Sequence, residues 1–256
     1  MCKIIAIYNA KGGSGKTTSA VNISAAIRNK GNKVLVVDLD GQANATMSLG
    51  VTVAPDSPTV YDFLVEQKPL MYYLGSSGVH VVPSDTRMYQ LEQKMSNLPN
   101  RGWVLQKLLE PLRSYYDFII IDCPPAFGLA SISALIACDY VVLTSNMSGL
   151  TKQTTDGIKE IIEATFSTNG RSKILGLLWT MNRYTLENKM VADAVNTAYP
   201  SLAFSQVIRM STYISGAASS GKDIFMYMPN CPVAQDYIFA TEEILNRIQN
   251  IENYGK

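Results

Sequence analysis

Three short segments of this 256-residue chain concentrate the residues able to do chemistry, and each follows an apolar run. The first reads Lys11-Gly12-Gly13-Ser14-Gly15-Lys16-Thr17-Thr18, after the run Ile4 to Tyr8. Glycines let successive backbone N–H groups turn inward around phosphate oxygens, and a helix starting at the turn adds the positive end of its dipole. In such a loop Lys16 meets the β- and γ-phosphates of a nucleotide and the Thr17 hydroxyl ligates Mg²⁺. The plain phosphate-loop pattern is Gly, four residues, Gly-Lys-Ser/Thr. Here Ala10 occupies the first glycine position, followed by Lys11, Gly12 and Gly13. The second segment, Val34-Leu35-Val36-Val37-Asp38-Leu39-Asp40, places two carboxylates just past a buried run. One could hold a metal-bound water while the other positions an attacking water. The third, Phe118-Ile119-Ile120-Ile121-Asp122, is an apolar strand ending in a carboxylate, the form that holds hydrated Mg²⁺ in phosphate-loop proteins.

The elements that must carry these residues are legible as alternating β-branched runs and helical patterns, which predict a parallel sheet wrapped by helices. Strands are expected at 3–9, 33–38, 80–83, 118–122, 140–145, 174–180 and 205–208. Helices are expected at 16–29, 88–95, 103–112, 131–137, 151–165, 186–198 and 233–251. Gly31 is placed to end the first helix. The stretch 50–78 is the least regular and reads as an elaboration beside the sheet. The expected fold is therefore α/β, a mostly parallel twisted sheet with helices on both faces in three layers. It forms a single domain spanning 1–256. Carboxylates at the C-terminal edge of such a sheet lie where these folds bind ligands.

Composition narrows the classes. Lys and Arg number 22 against 21 Asp and Glu, so the chain as a whole exerts no strong pull on nucleic acid. Cys2, Cys123, Cys138 and Cys231 form no C-x-x-C pair, and reduced thiols are the expected state. His80, the one histidine, cannot build a His-rich metal site. The run Ile4 to Tyr8 is too short for a secretory signal, and no stretch has transmembrane length, so a cytoplasmic location is expected.

Taken together, three stretches resemble the ParA/MinD group of deviant-Walker phosphate-loop ATPases, and within it the small ParA (Soj-type) partition ATPases. They are Asn9 to Thr18, Val37 to Thr46 and Ile121-Asp122-Cys123-Pro124-Pro125. Weaker likeness continues at Gly128-Leu129, Asp139-Tyr140-Val141, Thr180 to Arg183 and Ser215 to Lys222. The resemblance implies that Lys11 reaches across a dimer interface to the partner's ATP, so that two subunits sandwich the nucleotide. It implies that Asp40 orients the hydrolytic water, and that Asp38 and Asp122 lie near Mg²⁺. It also implies nonspecific, ATP-dependent DNA binding, a ParB-like centromere-binding activator, nucleoid association, and a role in plasmid or chromosome partition. Three departures stand out. Gly41 and Ala43 replace the group's usual Pro and Gly; the stretch 144–149 lacks its usual Pro and Glu; and Arg209-Met210-Ser211-Thr212-Tyr213 replaces a Pro-Arg-Asn-x-Arg run. The first two bear on the switching rate and the third on DNA contacts.

A local basic excess fits a DNA face. Arg171, Lys173, Arg183, Lys189, Arg209 and Lys222 are opposed only by Glu187 and Asp193 between positions 164 and 222. Such side chains on phosphates give weak, sequence-independent, salt-sensitive binding; the alternative is a solvated, mildly basic surface. Asn182, just past a strand at the sheet's C-terminal edge, is a candidate for pairing with adenine. Three rivals compete. A MinD-like membrane ATPase needs a basic amphipathic C-terminal helix, whereas the polar side of 242–252 is mostly Asn and acid, so no membrane partner is expected. An iron–sulfur reductase would have to use Cys123 and Cys138. A regulator without turnover is disfavoured by the presence of Lys11, Lys16 and Asp40.

Overall fold

The computed structural model describes residues 1–146, 160, 163 and 173–254. Among these residues one sheet is built from β1 (Lys3–Tyr8), β2 (Val34–Asp38), β3 (Tyr73–Leu74), β4 (His80–Val82), β5 (Phe118–Asp122), β6 (Tyr140–Asn146) and β7 (Lys173–Thr180). The strands lie in the order β3-β4-β2-β5-β1-β6-β7. All pairings are parallel except that of β3 with β4. The helices are α1 (Lys16–Asn29), α2 (Asn44–Ser48), α3 (Val60–Glu66), α4 (Leu91–Lys94), α5 (Val104–Leu109), α6 (Leu129–Ala137), α7 (Leu186–Ala198), α8 (Thr212–Ser219), α9 (Ile224–Tyr227) and α10 (Pro232–Tyr254).

Alternation along β1 generates the three layers. Ile4, Ala6 and Tyr8 join a core with α3, α4, α5, α6 and α7, while Ile5 and Ile7 join a second core with α1, α2, α8, α9 and α10. A strand covered on both faces must be apolar throughout, which is why Lys3–Tyr8 reads as a continuous run. Each fully buried isoleucine contributes roughly 1.5–3 kcal/mol of transfer free energy. The long α10 lays Val233, Tyr237, Ala240, Ile244 and Ile248 into the second core and packs on α1.

Several sequence expectations need correction. The stretch 50–78 is not merely an elaboration: it contributes α3 and the antiparallel edge strand β3. No strand forms at 205–208, although this segment runs beside β7 and touches it at single bridges, Leu177 with Ala203 and Asn182 with Arg209. Ladder pairing is lost because the Glu243 carboxylate takes the backbone N–H groups of Ser205 and Gln206. The helices expected at 88–95 and 103–112 are broken into short α-helical and 3₁₀ turns, with Pro111 inside the second. The helix expected at 151–165 falls, apart from Glu160 and Glu163, outside the described residues.

Candidate active site

The glycine loop joins β1 to α1 and is tied to β6 and β7, the two strands on one side of β1. Asn9 is buried; its Nδ2 donates to the Thr144 carbonyl on β6, and its Oδ1 accepts from Lys11 N at 2.8 Å. Asn146 Nδ2 donates to the Gly13 carbonyl, and Thr180 Oγ1 on β7 donates to the Ser14 carbonyl at 3.0 Å. Gly13 and Gly15 have φ of 68° and 79°, the left-handed region that favours glycine. At Gly15 a Cβ would also stand 3.0 Å from Thr180. Helix α1 begins with no side-chain cap and no acidic residue in its first turn, so its N-terminal N–H groups face the loop unanswered by the protein's own carboxylates.

Lys16 is buried and arches back so that Nζ donates to the Lys11 carbonyl at 3.0 Å. Burial lowers its pKa, while Asp122, Cys123 and Asp40 act to raise it. The Lys11 side chain, by contrast, is exposed.

The carboxylates meet at the C-terminal ends of β2 and β5, where Asp38 and Asp122 are direct register partners. Asp38 is already satisfied. Its Oδ2 accepts from Thr46 N and Oγ1 at 2.9 and 2.8 Å, and its Oδ1 accepts from Asp40 N at 3.1 Å. Asp122 is fully buried with no hydrogen-bond partner on either oxygen. Burial, reinforced by Asp38, pushes the Asp122 carboxyl well above its ordinary value, against the weaker opposing influence of the nearby Thr17 hydroxyl. Burial likewise pushes Asp38 up to about 6, despite its hydrogen bonds to Thr46 and Asp40. A buried carboxylate without donors is costly unless a cation answers it. Asp122 beside Thr17 therefore fits a magnesium ion, which typically takes one or two carboxylates and fills its remaining positions with water and phosphate oxygens. The hydrogen bonds of Asp38 hold the turn that carries Asp40.

Asp40 is buried, with Oδ1 accepting from Gln42 N at 3.0 Å and its carbonyl accepting from Ala43 N at 2.8 Å. Next to Gly15 and Thr18, a cavity of about 240 Å³ is lined by Thr180, Met181, Ile208, Met210, Ser211 and Tyr237 among others. Asn182 does not line it: its Oδ1 accepts from Tyr184 N and Asn188 Nδ2, bracing the start of α7. The loop anchors Asn146 and Thr180, the turn partner Thr46 and the cavity wall were not anticipated. Thr46 closes the second motif, whereas Asn146 and Thr180 lie far from the glycine loop in sequence, and only strand order brings them to it.

Among the described residues the basic candidates do not all share one edge of the sheet. Arg209 is paired with the buried Asp236 through Nε and Nη2 at 2.7 and 2.8 Å, so its guanidinium already has a carboxylate partner within the protein. Lys173 opens β7, a strand about 23 Å from end to end, and so lies at the opposite edge of the sheet from the glycine loop. Arg183 stands against Met210 just before α8, Lys189 lies exposed on α7, and Lys222 is exposed past the other end of α8. Arg171 lies outside the described residues.

All four cysteines are buried, and Cys123 and Cys138 belong to the core under α6 rather than to a surface where two subunits could share a cluster. No helix of the described residues is long and apolar enough to cross a membrane.

A glycine loop opening a helix, with an unpartnered buried carboxylate one strand away on a parallel sheet, defines a phosphate-loop ATPase. Residues 2–174 match the family model described as an AAA domain. The chain is 33% identical over 252 residues to the sporulation initiation inhibitor protein Soj of Bacillus subtilis, spanning 95% of this chain and 98% of that protein. It is 31% identical over 257 residues to the chromosome partitioning protein ParA of Myxococcus xanthus, spanning 96% and 88%. The solved cell division ATPase MinD of Pyrococcus furiosus superposes with a TM-score of 0.78 at 25% identity, covering 96% of this chain and 99% of that one. The chain belongs to the Soj/ParA family of partition ATPases.

Proposed function

We propose that this chain is a single-domain, magnesium-dependent ATPase that dimerises around ATP and, in that state, binds DNA without sequence preference during plasmid or chromosome partition. The observation that carries the reading is Asp122, a buried carboxylate without a hydrogen-bond partner, beside Thr17 at the mouth of a preformed glycine loop. Family membership and the relatives named for chromosome partitioning support the same reading.

In this reading the N–H groups of residues 12–18 and the start of α1 bind the phosphates. Lys16 exchanges its hydrogen bond to Lys11 O for the β- and γ-phosphates, and Thr17 with Asp122 would hold magnesium. When bound, that ion neutralises phosphate charge and orients the triphosphate. Asp38 fixes the turn through Thr46 and Asp40, and Asp40 orients the attacking water. Lys11 extends from the exposed loop toward a partner subunit's nucleotide, an in-trans cation comparable to an arginine finger. Hydrolysis is slow and accelerated by a ParB-like protein. The protein is cytoplasmic and associates with the nucleoid when it holds ATP. The MinD-like alternative loses support because the apolar side of α10 is already packed on the protein.

Titration calorimetry with magnesium–ATP, followed by sedimentation, tests the proposal. Uptake with dimer formation is expected. Lys11→Ala should abolish ATP-dependent dimers and Asp40→Ala should trap them. No uptake by folded protein overturns the reading.

A further inference from the structure

The turn that carries Asp40 is covered by a side chain distant in sequence. Gly41 is buried, and a Cβ built there would lie 2.9–3.0 Å from Cζ, Cε1 and Cε2 of Tyr89. Near-equal distances to these three atoms put the Gly41 backbone against the ring face at its hydroxyl end. The same hydroxyl accepts a hydrogen bond from Gln42 Nε2, while Gln42 N donates to Asp40 Oδ1. One aromatic ring thus touches both residues that follow Asp40.

Tyr89 is 61% exposed, but the turn that carries it is anchored. The ring sits on the 3₁₀ turn Thr86–Gln90, whose Met88 is buried in the core, and whose Arg87 pairs with Asp62 at 2.6 Å and Asp85 at 2.8 Å. Asp85 also caps that turn by accepting from Arg87 N at 2.7 Å. The turn 40–43 is held on its inner side by Asp38, which bonds Asp40 N and Thr46, and Tyr89 braces it from the outside; it ends at Ala43 with φ of 53°, a left-handed alanine at the start of the five-residue α2. A side chain at position 41 would push the ring off the turn, so glycine there is what lets Tyr89 lie against the backbone.

We infer that Tyr89 is a positioning residue: its ring, laid over Gly41 and bonded to Gln42, holds the Asp40 carboxylate in the geometry that orients the attacking water. The inference rests on the ATPase reading. It predicts a defect in the chemical step rather than in nucleotide capture, because Tyr89 reaches the site only through the turn after Asp40.

Single-turnover and steady-state ATP hydrolysis, with hydrogen exchange of the Gln42 and Ala43 amides in nucleotide-free protein, test it. Tyr89→Ala should lower kcat about tenfold at unchanged KM, the scale expected when a water-orienting group shifts by a fraction of an ångström. Exchange at 42 and 43 should accelerate by a similar factor. Tyr89→Phe keeps the ring and should stay within about threefold of wild type. Gly41→Ala should be impaired, and adding Tyr89→Ala should recover part of that loss by removing the collision. Unchanged kcat and exchange in Tyr89→Ala, or a rise in KM alone, would overturn the inference while leaving the ATPase reading intact. A wild-type protein that takes up no magnesium–ATP would instead remove the ATPase reading, and this inference with it.

Discussion

Asp122 and Asp236 show opposite uses of a buried carboxylate. Asp236 is neutralised within the protein by the Arg209 guanidinium, whereas Asp122 is left without a donor. Two predictions follow from that contrast. Carboxyls raised above an unfolded value of about 3.9 support the fold below that pH, and the support is lost as pH rises through the folded value. Asp38, pushed up to about 6, and Asp122, higher than its ordinary value, therefore weaken the metal-free protein from about pH 4 through about pH 6 and above. Asp122→Asn is expected to raise the Tm of metal-free protein at pH 8 by a few degrees and to abolish further stabilisation by magnesium–ATP. Scanning calorimetry with and without magnesium–ATP reads both, and a lower Tm in metal-free protein would contradict the assignment. Arg209→Ala strands the buried Asp236 and should cost about 2–3 kcal/mol in urea unfolding. DNA affinity measured on the still-folded fraction should stay unchanged, because that guanidinium is already engaged.

Among the elements, those carrying chemistry were the most legible. β5 spans 118–122, α1 spans 16–29 and α7 spans 186–198, all as their apolar spacing indicates. In each case a strong local pattern coincides with clear end signals. What escaped notice depends on distant partners. β3 is two residues long and exists through pairing with β4. The segment 205–208 carries strand-like residues, but Glu243 from α10 claims its N–H groups. Tyr89 has no local signature at all, and its meaning lies in a contact with Gly41. The helix α10 also separates competing functions. Ile244→Ala is expected to cost about 2–5 kcal/mol, since Ile244 is buried in the core against α1 rather than reserved for lipid. Anionic vesicles should sediment without the protein. Co-sedimentation with full stability of Ile244→Ala would reverse the role of the helix.

For the whole molecule, charge placement is what bears on DNA. Total charge is nearly balanced, so attraction to a duplex is expected from local groups such as Arg183 and Lys189, just past the C-terminal end of β7, multiplied when two copies associate. The expected result is binding with ATP, little with ADP or without nucleotide, and a steep loss with salt. Lys189→Ala should weaken all DNA sequences alike and flatten the salt dependence, whereas Lys173→Ala at the opposite edge should do neither. Fluorescence anisotropy across a salt series with each nucleotide state reads this directly. Equal binding with and without ATP would argue against the partition reading.

The anchoring of the glycine loop to β6 and β7 has a kinetic consequence. Asn9, Asn146 and Thr180 hold its backbone in a left-handed-containing path that free peptide would rarely visit. Little of the protein has to freeze when a triphosphate arrives, so the entropic penalty of capture falls mainly on the small molecule. Encounter is then expected to run close to the limit set by diffusion and charge, leaving association between subunits as the slower step that sets the tempo of the cycle.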